Sequence, residues 1–121
     1  MNFEKLEELY LSSNNISNID ILENVNFKEL KILYLSYNNI YDIKVLTKVK
    51  FEKLEGLYLN NNKISNIRSL ENINFKKLKK LDLSDNELSN IKDLEKLKNK
   101  FSKCNVMYRE KRICSCHRHH H

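Results

Sequence analysis

The chain has 121 residues, 40% of them hydrophobic and 31% charged, with a formal net charge of +6. That is the size of one domain and a composition that folds. Gly 1 and Pro 0 stand where a domain of this size carries roughly eight and six at average usage, which argues against hairpin-rich sandwiches and barrels and excludes collagen-like chains. Glycine-dependent phosphate loops cannot be written with Gly56 alone.

Met1-Asn2-Phe3-Glu4 has no basic stretch leading into an apolar one, so no secretory leader is expected. No apolar run approaches about 18 residues, and no membrane partner is expected. From Phe3 onward the chain repeats. Phe3, Phe27, Phe51 and Phe75 open four units of 24 residues, 3–26, 27–50, 51–74 and 75–98. In the first unit the apolar slots hold Phe3, Leu6, Leu9, Leu11, Ile16, Ile19, Leu22 and Val25. The other three units fill the same slots with Phe, Leu, Ile or Val throughout.

Within a unit two local patterns follow one another. Leu9 and Leu11 alternate with period 2, which predicts a short strand. Asn18, Asp42, Asn66 and Asn90 share one slot and suit a helix N-cap, because their side chains accept orphan backbone amides. Ile19, Leu22 and Val25 then recur at i, i+3, i+6, one face of a short helix. Such a unit cannot bury its own apolar face, so the units must stack.

The pattern L-x-x-L-x-L-x-x-N-x-I-x-x-I-x-x-L over residues 3–98 resembles the leucine-rich repeat family. Its Ile-x-x-Ile-x-x-Leu half is most similar to the internalin class and to the protein-phosphatase-1 regulatory-subunit class. Each unit is two residues longer than the 22-residue internalin repeat, which reads as a longer convex return around the Val/Ile-x-Phe segment. The resemblance implies an α/β fold: a right-handed solenoid with a parallel concave sheet and short convex helices. It also implies that Asn14, Asn38, Asn62 and Asn86 form a ladder that satisfies backbone groups of neighbouring turns. An amide side chain, with donors and an acceptor, is suited to hold such a bend.

A fifth unit begins at 101–108. Phe101, Cys104 and Met107 mirror the opening Phe-x-x-Leu-x-x-Leu, an edge strand is expected near Asn105–Tyr108, Tyr108 falls in the column of the repeat tyrosines, and Arg109 takes a leucine slot. The solenoid is therefore read as 1–108. With no capping sequence before Phe3, self-association through uncapped ends is an expectation. The remaining stretch, 109–121, is a basic Cys/His tail read as unstructured or as a remnant of cloning, since His119–His121 resemble a truncated tag. Cys104, Cys114, Cys116 and His117 are what a Cys₃His zinc site would draw on. However, Cys114-x-Cys116 is tighter than the usual spacing, so no metal and no cofactor is expected. Three cysteines close no disulfide framework, which favours a reducing, cytoplasmic setting.

No histidine lies within the repeats, so histidine-assisted nucleophiles are absent there and no enzyme is expected. The residues between the core leucines of each strand point to the concave face. They form columns: Glu8, Ile32, Gly56, Lys80; then Tyr10, Tyr34, Tyr58, Asp82; then Ser12, Ser36, Asn60, Ser84; then Ser13, Tyr37, Asn61, Asp85. Tyrosine supplies rigid contact area, and Ser and Asn adapt their hydrogen bonds, the mixture that recognition surfaces favour. The reading is non-catalytic recognition of a protein or peptide on this face. Its contact set is Tyr10, Ile32 (taken as exposed), Tyr34, Tyr37, Tyr58, Asn60, Asn61, Asp82 and Asp85, centred on Tyr34 and Tyr58. The alternative is a spacer or scaffold segment, or an engineered array, in which the tyrosines only support the sheet. A minor alternative is nucleic-acid contact through the basic C-terminal region with Lys76, Lys77, Lys79 and Lys80, though no nucleic-acid motif accompanies them.

Overall fold

A computed structural model describes residues 3–111. Five three-residue strands, β1 (Glu8–Tyr10), β2 (Ile32–Tyr34), β3 (Gly56–Tyr58), β4 (Lys80–Asp82) and β5 (Asn105–Met107), form one sheet. They lie in chain order, β1-β2-β3-β4-β5, and each neighbouring pair is parallel. The register pairs slot with slot: Leu9 faces Leu33, Leu33 faces Leu57 and Leu57 faces Leu81. This is the solenoid that the repeat pattern implies.

The return of each unit is helical, but not in the same form throughout. Residues Asp20–Asn24, Lys44–Thr47 and Arg68–Asn72 are 3-10 helices, whereas α1 (Ile91–Lys100) is an α-helix of 10 residues. The apolar spacing explains the difference. Ile19, Leu22 and Val25 are three residues apart, the period of a 3-10 helix. In the fourth unit Asn99 and Lys100 lengthen the segment, and Leu94, Leu97 and Phe101 follow a 3-then-4 step that suits an α-helix. Of the cap column only Asn90 stands at a helix N-cap. Asn18, Asp42 and Asn66 lie one residue ahead of the N-caps Ile19, Ile43 and Ile67, yet all four side chains accept the first helical amide or the next. Asn18, Asp42, Asn66 and Asn90 accept the amides of Asp20, Lys44, Arg68 and Lys92 at 2.8–3.0 Å.

The core lies between sheet and helices. Leu30, Leu33, Leu35, Ile40, Leu54, Leu57, Leu59, Ile64, Leu70, Leu81 and Leu83 are fully enclosed. The phenylalanines line one edge in contact with one another, with centroids 5.9, 5.8 and 5.5 Å apart from Phe3 to Phe75, the first pair stacked, the second edge-on and the third tilted. Because each unit is covered by its neighbours, the first unit is the least enclosed: Leu6, Leu9, Leu11 and Ile16 are only partly buried. At the other end β5 covers the fourth unit, with Phe101, Cys104 and Tyr108 packed on the core.

The asparagine ladder is present in three of its four rungs. Asn38 donates to the carbonyls of Leu11, Leu35 and Ser36, and its Oδ1 accepts the amides of Asn14 and Ile16. Asn62 and Asn86 repeat this toward Leu35 and Leu59 of the preceding units. Asn14 departs from the expected role. It is exposed, and its side chain donates to the Ser12 carbonyl of its own unit and to no carbonyl of a preceding one among the described residues. The bend itself falls one residue earlier than the ladder. Ser13, Tyr37, Asn61 and Asp85 have φ of 61°, 56°, 59° and 57°. Left-handed backbone favours glycine, yet Gly56 sits in a strand and none of these four positions is glycine.

Ion pairs cross the gaps between units ahead of the strands. Glu4–Lys28, Glu7–Lys31, Glu29–Lys53 and Glu55–Lys79 lie at 3.7, 3.1, 2.6 and 3.2 Å. Each joins equivalent slots of adjacent units. The carboxyl of Glu29 is held below its ordinary value, chiefly by the hydrogen bond from Lys53, and Lys31 is raised mainly by Glu7.

Candidate binding face

The strand register places Glu8, Ile32, Gly56 and Lys80 in one row across the open side of the sheet, and Tyr10, Tyr34, Tyr58 and Asp82 in the next. Strands about 4.8 Å apart bring identical side chains to stacking distance. Tyr10 and Tyr34 stack with centroids 4.6 Å apart, Tyr34 and Tyr58 at 4.9 Å, both with rings inclined by 8°. Near-parallel rings at these distances are within the range of favourable aromatic contacts. Lys80 closes one end of the row, its Nζ 5.9 Å above the Tyr58 ring. At the other end Tyr10 is 64% exposed, and its hydroxyl donates to Glu8 Oε1 at 3.2 Å. The Tyr10 phenol is raised above its ordinary value by partial desolvation within the row, then by the hydrogen bond and charge of Glu8.

Gly56 explains how the rings lie. A Cβ at this position would meet Tyr58 Cε2 at 3.3 Å and Ile32 Cγ2 at 3.6 Å. Tyr58 and Ile32 have closed over the glycine. Ile32 is half-buried, which corrects its reading as an exposed contact. The glycine is there for space: its φ is not positive.

The remaining residues of the proposed face divide. Asn60 accepts from Ser36 Oγ at 2.6 Å and donates to Asn61 at 3.0 Å, so the two asparagines already bond within the chain. Asp82 accepts the Ser84 amide at 2.9 Å and trims the end of β4. Tyr37 stands on the left-handed bend, 60% exposed and outside the stacked row. Asp85 is buried, and its carboxylate pairs with Arg109 at 2.6 Å. It is therefore a structural anchor for the last strand and not an open contact. The guanidinium of Arg109 is raised chiefly by the hydrogen bond it donates to Asp85.

The fifth unit runs one residue out of the expected register. Val106 faces Leu81 and Met107 faces Asp82, so Met107, not Tyr108, enters the tyrosine row. Tyr108 packs on the core, and burial first, then Glu110 and Asp85, push its phenol up. Arg109 does not occupy a leucine slot; its carbonyl accepts the Asp85 amide, the place taken by Ser84 toward Asn61 one unit earlier. One residue fewer separates Phe101 from β5 than separates Phe75 from β4, and residue types alone do not show it. The cation–aromatic contact of Lys80 and the Asp85–Arg109 pair were both missed. The adjacent columns contained a signal for the first, because Lys80 neighbours Tyr58 diagonally across β3 and β4.

Among the described residues no cluster of three His, Cys, Asp or Glu can hold a metal ion. Cys104 is half-buried and its thiol is pushed up by that burial, which opposes metal binding and nucleophilic reactivity. Cys114, Cys116 and His117, and the proposed tail beyond residue 111, lie outside the described residues. Within the lysine run, Lys79 is paired with Glu55 and Lys80 lies over Tyr58. No helix among the described residues is long and apolar enough to cross a membrane.

The comparisons agree with this architecture. A family model described as leucine rich repeat matches residues 28–88, and one described as leucine rich repeats in 2 copies matches residues 4–48. In all, 32 solved chains match. One is an internalin C2 from Listeria monocytogenes strain 4b F2365, 29% identical, with a TM-score of 0.63 over 87% of this chain and 42% of that one. The chain thus spans less than half the length of that internalin. No curated protein matches. Leucine-rich repeat domains in general bind other proteins and are not enzymes. By its repeat pattern, its ordered parallel sheet and its match over half its length, the chain belongs to the leucine-rich repeat family.

Proposed function

We propose that this chain recognises a protein or peptide on the open face of its sheet, with Tyr34 and Tyr58 at the centre of the contact. The observation that supports this is the stack of three parallel tyrosines on the solvent side of the strands. Their rings are fixed before binding, so little rotamer entropy is lost when a partner covers them. Tyr10 and Tyr37 extend the face on either side, with Asn60, Asn61 and Asp82 as polar neighbours. The interaction is non-catalytic. A spacer without a ligand would use the same tyrosines only to support the sheet.

Selection of displayed peptides on the folded chain separates the two. Peptides that bind the parent should lose at least about tenfold in affinity when Tyr34→Ala and Tyr58→Ala are combined, a loss in the range of two aromatic hot spots. Circular dichroism and amide exchange establish that the double variant keeps its sheet. Selected peptides that bind parent and variant equally would move the contact elsewhere and favour the spacer.

A further inference from the structure

The seams between units are closed alike until the last. Ahead of the strands a glutamate–lysine pair bridges each earlier seam: Glu4–Lys28, Glu29–Lys53 and Glu55–Lys79. The phenylalanines meet ring to ring from Phe3 to Phe75. Among the described residues, the seam between the fourth unit and the fifth has neither feature. Asn99 and Lys100 are added before Phe101, and Lys100 sets its Nζ 5.5 Å above the Phe101 ring. Counted from Phe101, Cys104 stands in the slot of Leu30, Leu54 and Leu78, and Ser102 in the slot of Glu4, Lys28, Glu52 and Lys76. A smaller side chain in a core slot leaves space. A cavity of about 290 Å³ lies here, within the array, between the segments 73–78 and 100–104. Its floor is apolar: Ile73, Phe75 and Leu78 are buried, and Phe101 and Cys104 are half-buried. Lys76 and Lys103 are exposed at its rim, and no described lining residue carries a carboxylate. Neither lysine is ion-paired among the described residues. The Lys100 ammonium is already given to the Glu71 carbonyl.

We propose that this cavity binds a small organic acid, one carboxylate on an apolar body of about eight carbons. The volume is about twice that of a void that admits benzene. The apolar body lies on Phe75, Leu78 and Phe101. The carboxylate pairs with Lys76 and Lys103 and takes the place that a glutamate holds at the earlier seams. Burial of the apolar body supplies most of the affinity, because ion pairs at an exposed rim are weak. The rim supplies selectivity for an anion. The site is remote from the tyrosine row and does not rest on the recognition role proposed above.

Octanoate is the probe, octanamide its neutral counterpart, and propanoate the same anion with little apolar body. Each is titrated into the methyl-labelled chain. Octanoate should shift the Ile73 and Leu78 methyl signals to saturation and leave those of Ile19 and Leu22 in place. Octanamide should need a concentration at least about threefold higher, the size of an exposed ion pair, and propanoate should not saturate. Lys76→Met with Lys103→Met should bring octanoate level with octanamide. Cys104→Leu restores the repeat residue, fills the cavity and should weaken both ligands at least about tenfold, with a melting curve to establish that the fold is kept. The lysine variant, altered only at exposed positions, decides the matter if Cys104→Leu folds poorly. Equal binding of octanoate and octanamide by the parent, methyl shifts spread alike over the first and fourth units, or undiminished binding by a folded Cys104→Leu overturns the proposal.

Discussion

The side-chain amide of Asn62 donates to the carbonyl of Leu35, one unit back, at 3.0 Å. The same nitrogen reaches Leu59 and Asn60, and its Oδ1 accepts the Ile40 amide. All of this lies in a buried bend. Asn62→Ala would leave several buried backbone groups without partners. It should lower unfolding free energy by about 2–3 kcal/mol. Asn14→Ala, at the exposed first rung, should stay within about 0.5 kcal/mol of the parent. Urea midpoints of the two variants provide the comparison, and equal midpoints would remove the ladder from the account of stability.

Tyr37 holds a bulky side chain on backbone with φ 56°. Asn61 occupies the equivalent bend one unit later, and asparagine enters this conformation at lower cost. Tyr37→Asn should therefore raise stability by about 0.5–1 kcal/mol, seen as a higher melting temperature. If Tyr37 touches the partner, the same variant loses affinity as it gains stability. A lower melting temperature would mean that the exposed ring packs more than its surface suggests.

Asp85 is buried and Arg109 is its ion-pair partner, so removing the arginine strands a carboxylate. Arg109→Ala should speed amide exchange in β5 while leaving β2 and β3 protected. Adding Asp85→Asn replaces the charge with a neutral amide and should restore part of the protection. Exchange unchanged in β5 would show that packing of Val106 and Tyr108 alone holds the strand.

The Glu29–Lys53 contact is predicted to make a pH-dependent contribution. Lys53 lowers the glutamate below its ordinary 4.5. The folded state is thereby favoured above that value, and the gain fades as pH falls through the lowered one. The melting-temperature gap between parent and Lys53→Met should be constant from about pH 7 to 5 and close at lower pH. Both side chains are substantially exposed, so the gap should be modest and shrink in high salt. A gap that widens on acidification would exclude this pair as its source.

Much of the scaffold was legible because one environment recurs. A leucine at 33 or 57 and an asparagine at 38 or 62 meet the same neighbours in each unit, so side-chain type reports position. The parts that were not legible depend on breaks in that regularity. In the fifth unit, Met107 is apolar enough to read as core and Tyr108 reads as a surface tyrosine. The amide of Asn105 on the Lys79 carbonyl fixes the opposite assignment. Asp85 reads as an exposed carboxylate because the arginine that buries it comes from the following unit. Ile32 reads as exposed because alternation gives the direction of a side chain but not what lies over its neighbour Gly56.

The ion pairs between units limit how this array can change length. Phe3-Glu4-Lys5-Leu6-Glu7 is repeated letter for letter at 51–55, while the unit between them carries the inverted charges Lys28, Glu29 and Lys31. Stacking thus follows an odd–even code with a period of two units. Loss of residues 27–50 would set Glu4 against Glu52, Lys5 against Lys53 and Glu7 against Glu55, three like pairs. Loss of 27–74 would set Glu4 and Glu7 against Lys76 and Lys79, and leave Lys5 with Lys77 as the one mismatch. Arrays of this sequence type are therefore expected to grow and shrink by pairs of repeats. The test is thermal melting of the two deletions in low salt and in high salt. The one-unit deletion should recover stability as salt rises, and the two-unit deletion should not.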